Sequence, residues 1–264
     1  MDFLGLNGRK IVIFGVANRK SVAFHIAKVL EEAGAELIFS VLNEEAAAVV
    51  RKFFPGHSVL LCDFSDDASM QACAAEIAER FGLVYGVVHS VAFADYSEGV
   101  KPFHETARRD FLQAMDISCY SFIRLGGLFA PLLEEDGAML TISISTTRMA
   151  AESYGYMAPI KAALDSSVCF LAKSLSPKRV RVNAVGAAPL KTSSSAGIPG
   201  YIKPYLFAEK ATLRKEAVKT TEVADTAAFL LSPRASGINA QTVIVDAGMA
   251  TNFFDREILD RTVE

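Results

Sequence analysis

The sequence predicts a doubly wound α/β fold, an open sheet of about seven parallel strands with helices on both faces. Three observations carry this expectation. Seven short runs rich in Val, Ile and Leu recur along the chain, longer amphipathic stretches separate them, and most of the runs are nearly continuous in apolar residues. Continuous apolar runs suit strands covered by helices on both faces, and strands alternating with helical patterns build βαβ units. The 264 residues are 51% hydrophobic and 22% charged, which supports a large core and excludes a disordered or collagen-like chain or a small stapled scaffold.

The strands are expected at 11–14 (IVIF), 36–40 (ELIFS), 58–62 (SVLLC), 84–90 (VYGVVHS), 138–145 (AMLTISIS), 180–185 (VRVNAV) and 242–246 (TVIVD). Between the first two, residues 21–33 place Val22, Ile26, Val29 and Leu30 on one helical face; residues 66–81 do the same with Met70, Cys73, Ile77 and Phe81. No repeat, low-complexity tract or Pro/Ser-rich linker divides residues 1–264, so one domain is expected. Residues 187–211 lack clear periodicity and hold Pro189, Pro199, Gly200 and Pro204. Ligands of open α/β sheets sit beyond the carboxyl ends of the strands, so this long excursion after the sixth strand is expected to be a substrate lid.

A net charge of −3 with no long basic run argues against nucleic acid. No apolar run approaches the ~20 residues of a membrane span, and the opening MDFLGLNGRK has no signal-peptide pattern. Cys62, Cys73, Cys119 and Cys169 show no C-x-x-C spacing and no metal-ligand pattern. They are expected to be reduced, mostly buried thiols of a cytoplasmic protein.

Chemistry concentrates at the carboxyl ends of the strands. Gly15-x5-Ser21-Val22-Ala23 runs from the first strand into a helix, where a tight turn and free helix N–H groups suit a dinucleotide pyrophosphate. A plain strand–turn–helix with a Ser21 cap explains the same residues. Asp63, beside Phe64, can accept from an adenine amine or cap the next helix. The small residues of Ser90-Val91-Ala92-Phe93-Ala94 let a ribose pass the backbone, and His89 before them reads as structural. Tyr154 and Lys161 lie seven residues apart on a helix expected to begin after Glu152, so both project from one face. A cationic amine beside a phenol is expected to lower the phenol's pKa. The phenol suits donation to a developing oxyanion. Tyr156 is half a turn away and should point elsewhere.

Together these segments resemble the short-chain dehydrogenase/reductase superfamily and, within it, the enoyl-acyl-carrier-protein reductases of bacterial fatty acid synthesis. The likeness extends through Asp116-Ile117-Ser118, Arg181-Val182-Asn183-Ala184, Ala188-Pro189-Leu190-Lys191-Thr192 and Val245-Asp246-Ala247-Gly248. The six-residue gap between Tyr154 and Lys161 is specific, because most of the superfamily spaces this pair by three. The resemblance implies a Rossmann-type subunit, usually a homotetramer, that reduces the 2,3 double bond of a trans-2-enoyl thioester. It implies Tyr154 and Lys161 as the catalytic pair, with Lys161 on the nicotinamide ribose. Gly15, Ser21, Val22, Leu42, Asp63, Phe64, Ser90, Val91, Ala92, Leu190 and Thr192 would line the cofactor groove. Phe93, Ala94, Ile144, Tyr154 and Met157 would face the substrate.

The chain departs from the family in three places. Ile144 occupies the position, ten residues before the tyrosine, where the family carries a second aromatic. The lid start, usually basic toward the acidic carrier protein, has Lys203 as its single charge between 196 and 203. Ala188 and Ala247 stand where glycines are usual. These departures leave open a CoA thioester, a ketone or alcohol, or a specialised metabolite as substrate. After the second strand come Leu42-Asn43-Glu44-Glu45, and no basic residue for a 2′-phosphate appears before Arg51. The expected cofactor is therefore NADH, with NADPH as the alternative.

Overall fold

The computed structural model describes residues 2–151 and 154–260. The strands are β1 (Lys10–Phe14), β2 (Glu36–Val41), β3 (Ser58–Leu61), β4 (Val84–His89), β5 (Leu133–Ile144), β6 (Arg181–Ala187) and β7 (Thr242–Val245). They form one sheet in the order β3-β2-β1-β4-β5-β6-β7, with every neighbouring pair parallel. This is the seven-stranded Rossmann-type α/β architecture expected from the apolar runs. The strand order reverses between β1 and β4, which opens a crevice past Phe14 and His89, the position for a ligand in such sheets.

Period-2 geometry divides β1 between two cores. Ile11 and Ile13 join the side chains of α1 (Val22–Glu32), α2 (Glu44–Phe53) and α9 (Thr220–Leu231). Val12 and Phe14 face α3 (Asp67–Phe81), α5 (Ser121–Phe129) and α6 (Met157–Leu175). Four of these strand side chains are 0–1% exposed, so burial on both faces, and not strand propensity alone, selects the Val/Ile composition. Arg181 is also buried, and its guanidinium donates to the carbonyls of Leu230, Leu231 and Ser232 at 2.7, 3.1 and 3.0 Å. It thereby satisfies the orphan carbonyls at the end of α9 with a cation, as the helix dipole favours.

Two parts of the fold differ from the sequence expectation. Between β4 and β5, where the sequence set no helix bounds, lie α4 (Arg108–Met115), a π-helical turn (Asp116–Tyr120) and α5. The extra residue of the π turn shifts the helical phase and hides the period. Residues 187–211 are largely helical, with α7 (Ser193–Ala196) and α8 (Ile202–Ala211). The inward face of α8 is Tyr205, Ala208 and Ala211, two of them alanines that give little periodic signal. Pro204 is tolerated there because it falls in the first turn.

Ala247 adopts φ +52, a left-handed conformation that costs an L-residue about 1 kcal/mol and that a glycine takes freely. Cys62, Cys73 and Cys119 are buried free thiols, and Cys169 is exposed. Among the described residues no helix is long and apolar enough to cross a membrane. A last helix, α10 (Arg256–Asp260), closes the described chain.

Candidate active site

Gly15 leaves β1 at φ +99, and a Cβ there would lie 2.1 Å from the Ser90 carbonyl oxygen and 2.7 Å from its carbon. Only a bare backbone lets the chain after β1 pass so close to the chain after β4. Ser21 precedes α1 but supplies no side-chain cap; its hydroxyl donates instead to the Asn18 carbonyl at 2.5 Å. The Phe24 N–H donates to Ser21 O at 3.1 Å, and the N–H groups of Val22 and Ala23 before it remain for an anion in the crevice, which is what a pyrophosphate requires. The donor set and the bare cradle fit a dinucleotide.

Leu42, 62% exposed, ends the β2 side of this crevice, and Val22 is half-buried on α1. Arg51, the first basic side chain after β2, pairs with Glu44 at 2.7 Å. Asp63 does not cap α3. Its carboxylate accepts from the Ser65 N–H and hydroxyl at 2.8 and 2.7 Å, while Asp66 caps the helix by accepting from Ala68. Phe64 packs edge-on against Phe14 and His89. Ser90 and Val91 are half-buried and Ala92 is exposed. The Ser90 N–H donates to Phe14 O at 3.2 Å, so β4 continues its pairing with β1 up to the crevice.

His89 is wholly buried and bonded by Thr141 and Ser121, each at 2.9 Å. Burial, reinforced by the Lys161 charge, holds its pKa down at about 3. A neutral imidazole with both nitrogens occupied positions β5 against α5 and has no free atom for chemistry.

The start of the helix carrying the tyrosine is corrected by the structure. Residues 152 and 153 lie outside the described residues; from Tyr154 the chain follows a turn, and α6 begins only at Met157. Gly155 at φ +56 breaks the helical path. Tyr154 therefore sits on a 3₁₀ turn, and Lys161 on the first turns of α6. Lys161 is 5% exposed and donates from Nζ to Ile142 O at 2.7 Å. Burial holds its ammonium down at about 8. The Tyr154 phenol moves opposite to the expected direction, because burial raises it to about 12. Desolvation is the cause. The result is a phenol that keeps its proton at neutral pH and can donate it.

Of the residues expected to face substrate, Ile144 is half-buried at the end of β5 and Met157 is buried in the α6-side core. Phe93 is 42% exposed, with its backbone N–H and carbonyl both bonded to Ser118 Oγ at 2.9 and 3.0 Å. Ala94 packs partly against the same core. Leu190 is buried, and its carbonyl accepts from Tyr201 at 3.1 Å and from Ser195 at 2.8 Å. Thr192 caps α7.

Sequence reasoning missed two polar neighbours of Tyr154. Tyr96 and Tyr201 each lie close enough to Tyr154 that a charge on one phenol disfavours a charge on the other. Ser143 and Ser145 have buried hydroxyls without a hydrogen-bond partner among the described residues. The T-I-S-I-S alternation of β5 signals these two hydroxyls, since buried polar groups are normally paired. No sequence pattern marks Tyr96, whose neighbours come from residues about 60 positions away.

The enoyl-(acyl carrier protein) reductase family profile matches residues 15–250. The chain is 36% identical over 253 residues to the NADH-type enoyl-acyl-carrier-protein reductase FabI of Bacillus subtilis, covering 94% of this chain and 98% of that protein. It is 34% identical over 250 residues to the NADPH-type FabI of Staphylococcus aureus, covering 93% and 98%. The solved enoyl-acyl-carrier-protein reductase of Anaplasma phagocytophilum, in complex with NAD, has a TM-score of 0.90 at 33% identity, covering 96% of this chain and 97% of that one. The Bacillus cereus reductase with NADP+ has a TM-score of 0.88 at 32% identity, covering 95% and 99%. These likenesses make the chain a member of the enoyl-acyl-carrier-protein reductase family of NAD(P)H-dependent oxidoreductases, in the short-chain dehydrogenase/reductase superfamily.

Proposed function

We propose that this chain reduces the 2,3 double bond of a trans-2-enoyl thioester carried by acyl-carrier protein, with NADH as reductant. The reading is carried by the protonated Tyr154 phenol, raised by burial, seven residues ahead of the buried Lys161, whose ammonium is anchored on β5 at Ile142 O. When bound, the reduced nicotinamide supplies hydride to the β-carbon of the enoyl group. The chain's own residues do the rest. Tyr154 donates a hydrogen bond to the thioester oxygen, where charge accumulates as the enolate forms. Lys161, anchored on Ile142 O, turns its remaining N–H groups toward the ribose hydroxyls. Gly15, Ser21, Val22 and the start of α1 receive the pyrophosphate. Ser90, Val91, Ala92, Leu190 and Thr192 flank the nicotinamide half, and Leu42, Asp63 and Phe64 the adenosine half. Phe93, Ala94, Ile144 and Met157 border the acyl chain, and residues 187–211 act as the lid that excludes water. We take 1–264 as a single catalytic domain that works in the cytoplasm as a homotetramer. Exposed Phe170 on α6 (76%) and Ile244 on β7 (48%) offer apolar surface for such contacts.

The Glu44–Arg51 ion pair supports NADH. It occupies the first guanidinium after β2, among the carboxylates of Glu44 and Glu45, where a 2′-phosphate would need cations. Ile144 favours the second reading, a divergent reductase acting on a CoA thioester, a ketone or alcohol, or a specialised metabolite, because its side chain cannot bond a substrate oxygen.

The test is cofactor oxidation on adding a trans-2-enoyl group, presented on carrier protein or on CoA, with NADH and NADPH in parallel. Turnover on carrier protein with NADH preferred by at least about tenfold is expected, that factor matching one misplaced charge. Turnover on CoA alone supports the second reading. Silence on both, with NADH bound, overturns the enoyl assignment.

A further inference from the structure

We infer that Tyr96 and Tyr156 form a clasp that positions Tyr154, a role resting on the catalytic reading of Tyr154 given above. Tyr154 lies on a 3₁₀ turn ahead of α6, its N–H donating to Ala151 O at 3.1 Å, and the next residue is Gly155 at φ +56. A phenol on such a turn needs outside support to stay within the ~0.5 Å that oxyanion donation tolerates.

The support is reciprocal. The Tyr96 hydroxyl donates to the backbone carbonyl of Tyr154 at 3.1 Å, and the Tyr156 hydroxyl donates to the backbone carbonyl of Asp95 at 2.9 Å. Each segment thus receives a bond from the other's tyrosine. The two rings stack with centroids 5.8 Å apart and planes 26° apart, and the Phe111 ring packs against Tyr156 at 6.2 Å. A Cβ at Gly155 would sit 3.4 Å from the Tyr96 ring, so the glycine also brings the turn against that ring. The loop is fixed at its other points as well. Ser118 holds Phe93 through both backbone groups, and the Gly99 N–H donates to Tyr96 O at 2.9 Å. The clasp therefore sets the distance between the Phe93–Ala94 backbone on one side of the site and the phenol of Tyr154 on the other. Tyr96 and Tyr156 touch neither the reacting atoms nor the cofactor in this account. They are positioning residues.

Tyr96→Phe removes the bond to Tyr154 O and keeps the stacked ring. It should lower kcat about tenfold, the rate equivalent of one hydrogen bond, while NADH affinity stays within about twofold and the melting temperature moves little. Tyr156→Phe should shift kcat in the same direction. Amide exchange across residues 154–157 should quicken in Tyr96→Phe, a readout that needs no turnover. Unchanged kcat or unchanged exchange in Tyr96→Phe overturns the clasp, and so does a kcat loss matched by lost NADH binding and lost stability. If only the clasp is wrong, Tyr154→Phe is slow while Tyr96→Phe behaves as wild type. If the catalytic reading is wrong, Tyr154→Phe itself keeps full turnover.

Discussion

Tyr154→Phe is expected to bind NADH as tightly as the wild type and to lose roughly 10²–10³-fold in kcat, the usual cost of removing one donor to a developing oxyanion. The substitution deletes a single hydroxyl. The ring, which packs partly against the α6-side core, remains, so folding should be nearly unaffected. A donor needed mainly in the transition state lowers kcat and kcat/KM together and leaves ground-state binding alone. The raised phenol, near 12, adds a condition on pH. Tyr154 stays protonated through the neutral and mildly alkaline range, so its own titration should not limit activity there. Stopped-flow oxidation of NADH separates these outcomes, and undiminished kcat would remove Tyr154 from the chemistry.

Lys161→Met should show the opposite balance between binding and stability. Lys161 is buried, and its pKa lies at about 8 instead of 10.5. Folding therefore shifts this group toward the neutral amine. Below about pH 8 the buried charge is a stability cost of about 3 kcal/mol, which fades as pH rises from about 8 toward the unfolded value. Methionine of similar length avoids that cost, so the variant should melt no lower than the wild type at pH 7. Its NADH affinity should nevertheless fall by roughly 10–100-fold, because a charged donor to the ribose is lost. The wild type should also bind NADH more weakly above about pH 8. The cofactor's phosphates favour the protonated amine, so binding takes up a proton there and affinity declines as pH rises. Lys161→Met should lack this decline. Fluorescence titration of NADH from pH 6.5 to 9.5 measures both effects, and intact affinity in the variant would contradict the ribose role.

The frame of this fold was legible because its strands are buried on both faces, which writes Val and Ile into consecutive positions such as 11–13 and 87–88. Helices α1 and α3 were legible for a related reason: one face is apolar, and Ser21 and Asp66 mark their starts. What escaped were places where the period breaks. The π turn at 116–120 shifts the phase between α4 and α5, and the alanine face of α8 carries little hydrophobic contrast. The turn at Tyr154 escaped because only Gly155 announces it. The direction of the Tyr154 shift also escaped, since burial of a single phenol is a property of the assembled site. Tyr96 was out of reach for the same reason: its partners at 154–156 become neighbours only once β4 and β5 are paired.

The most direct test of the central claim is the position of label after reaction with NADH deuterated at the transferable C4 position. A trans-2-enoyl thioester on carrier protein is the acceptor, and the product is read by mass spectrometry and NMR. Hydride delivery to the β-carbon, with Tyr154 stabilising the enolate, predicts deuterium at C3, a solvent-derived proton at C2 and an intact thioester. Deuterium at the thioester carbon, or label reaching only an added ketone while the enoyl group survives, would contradict it.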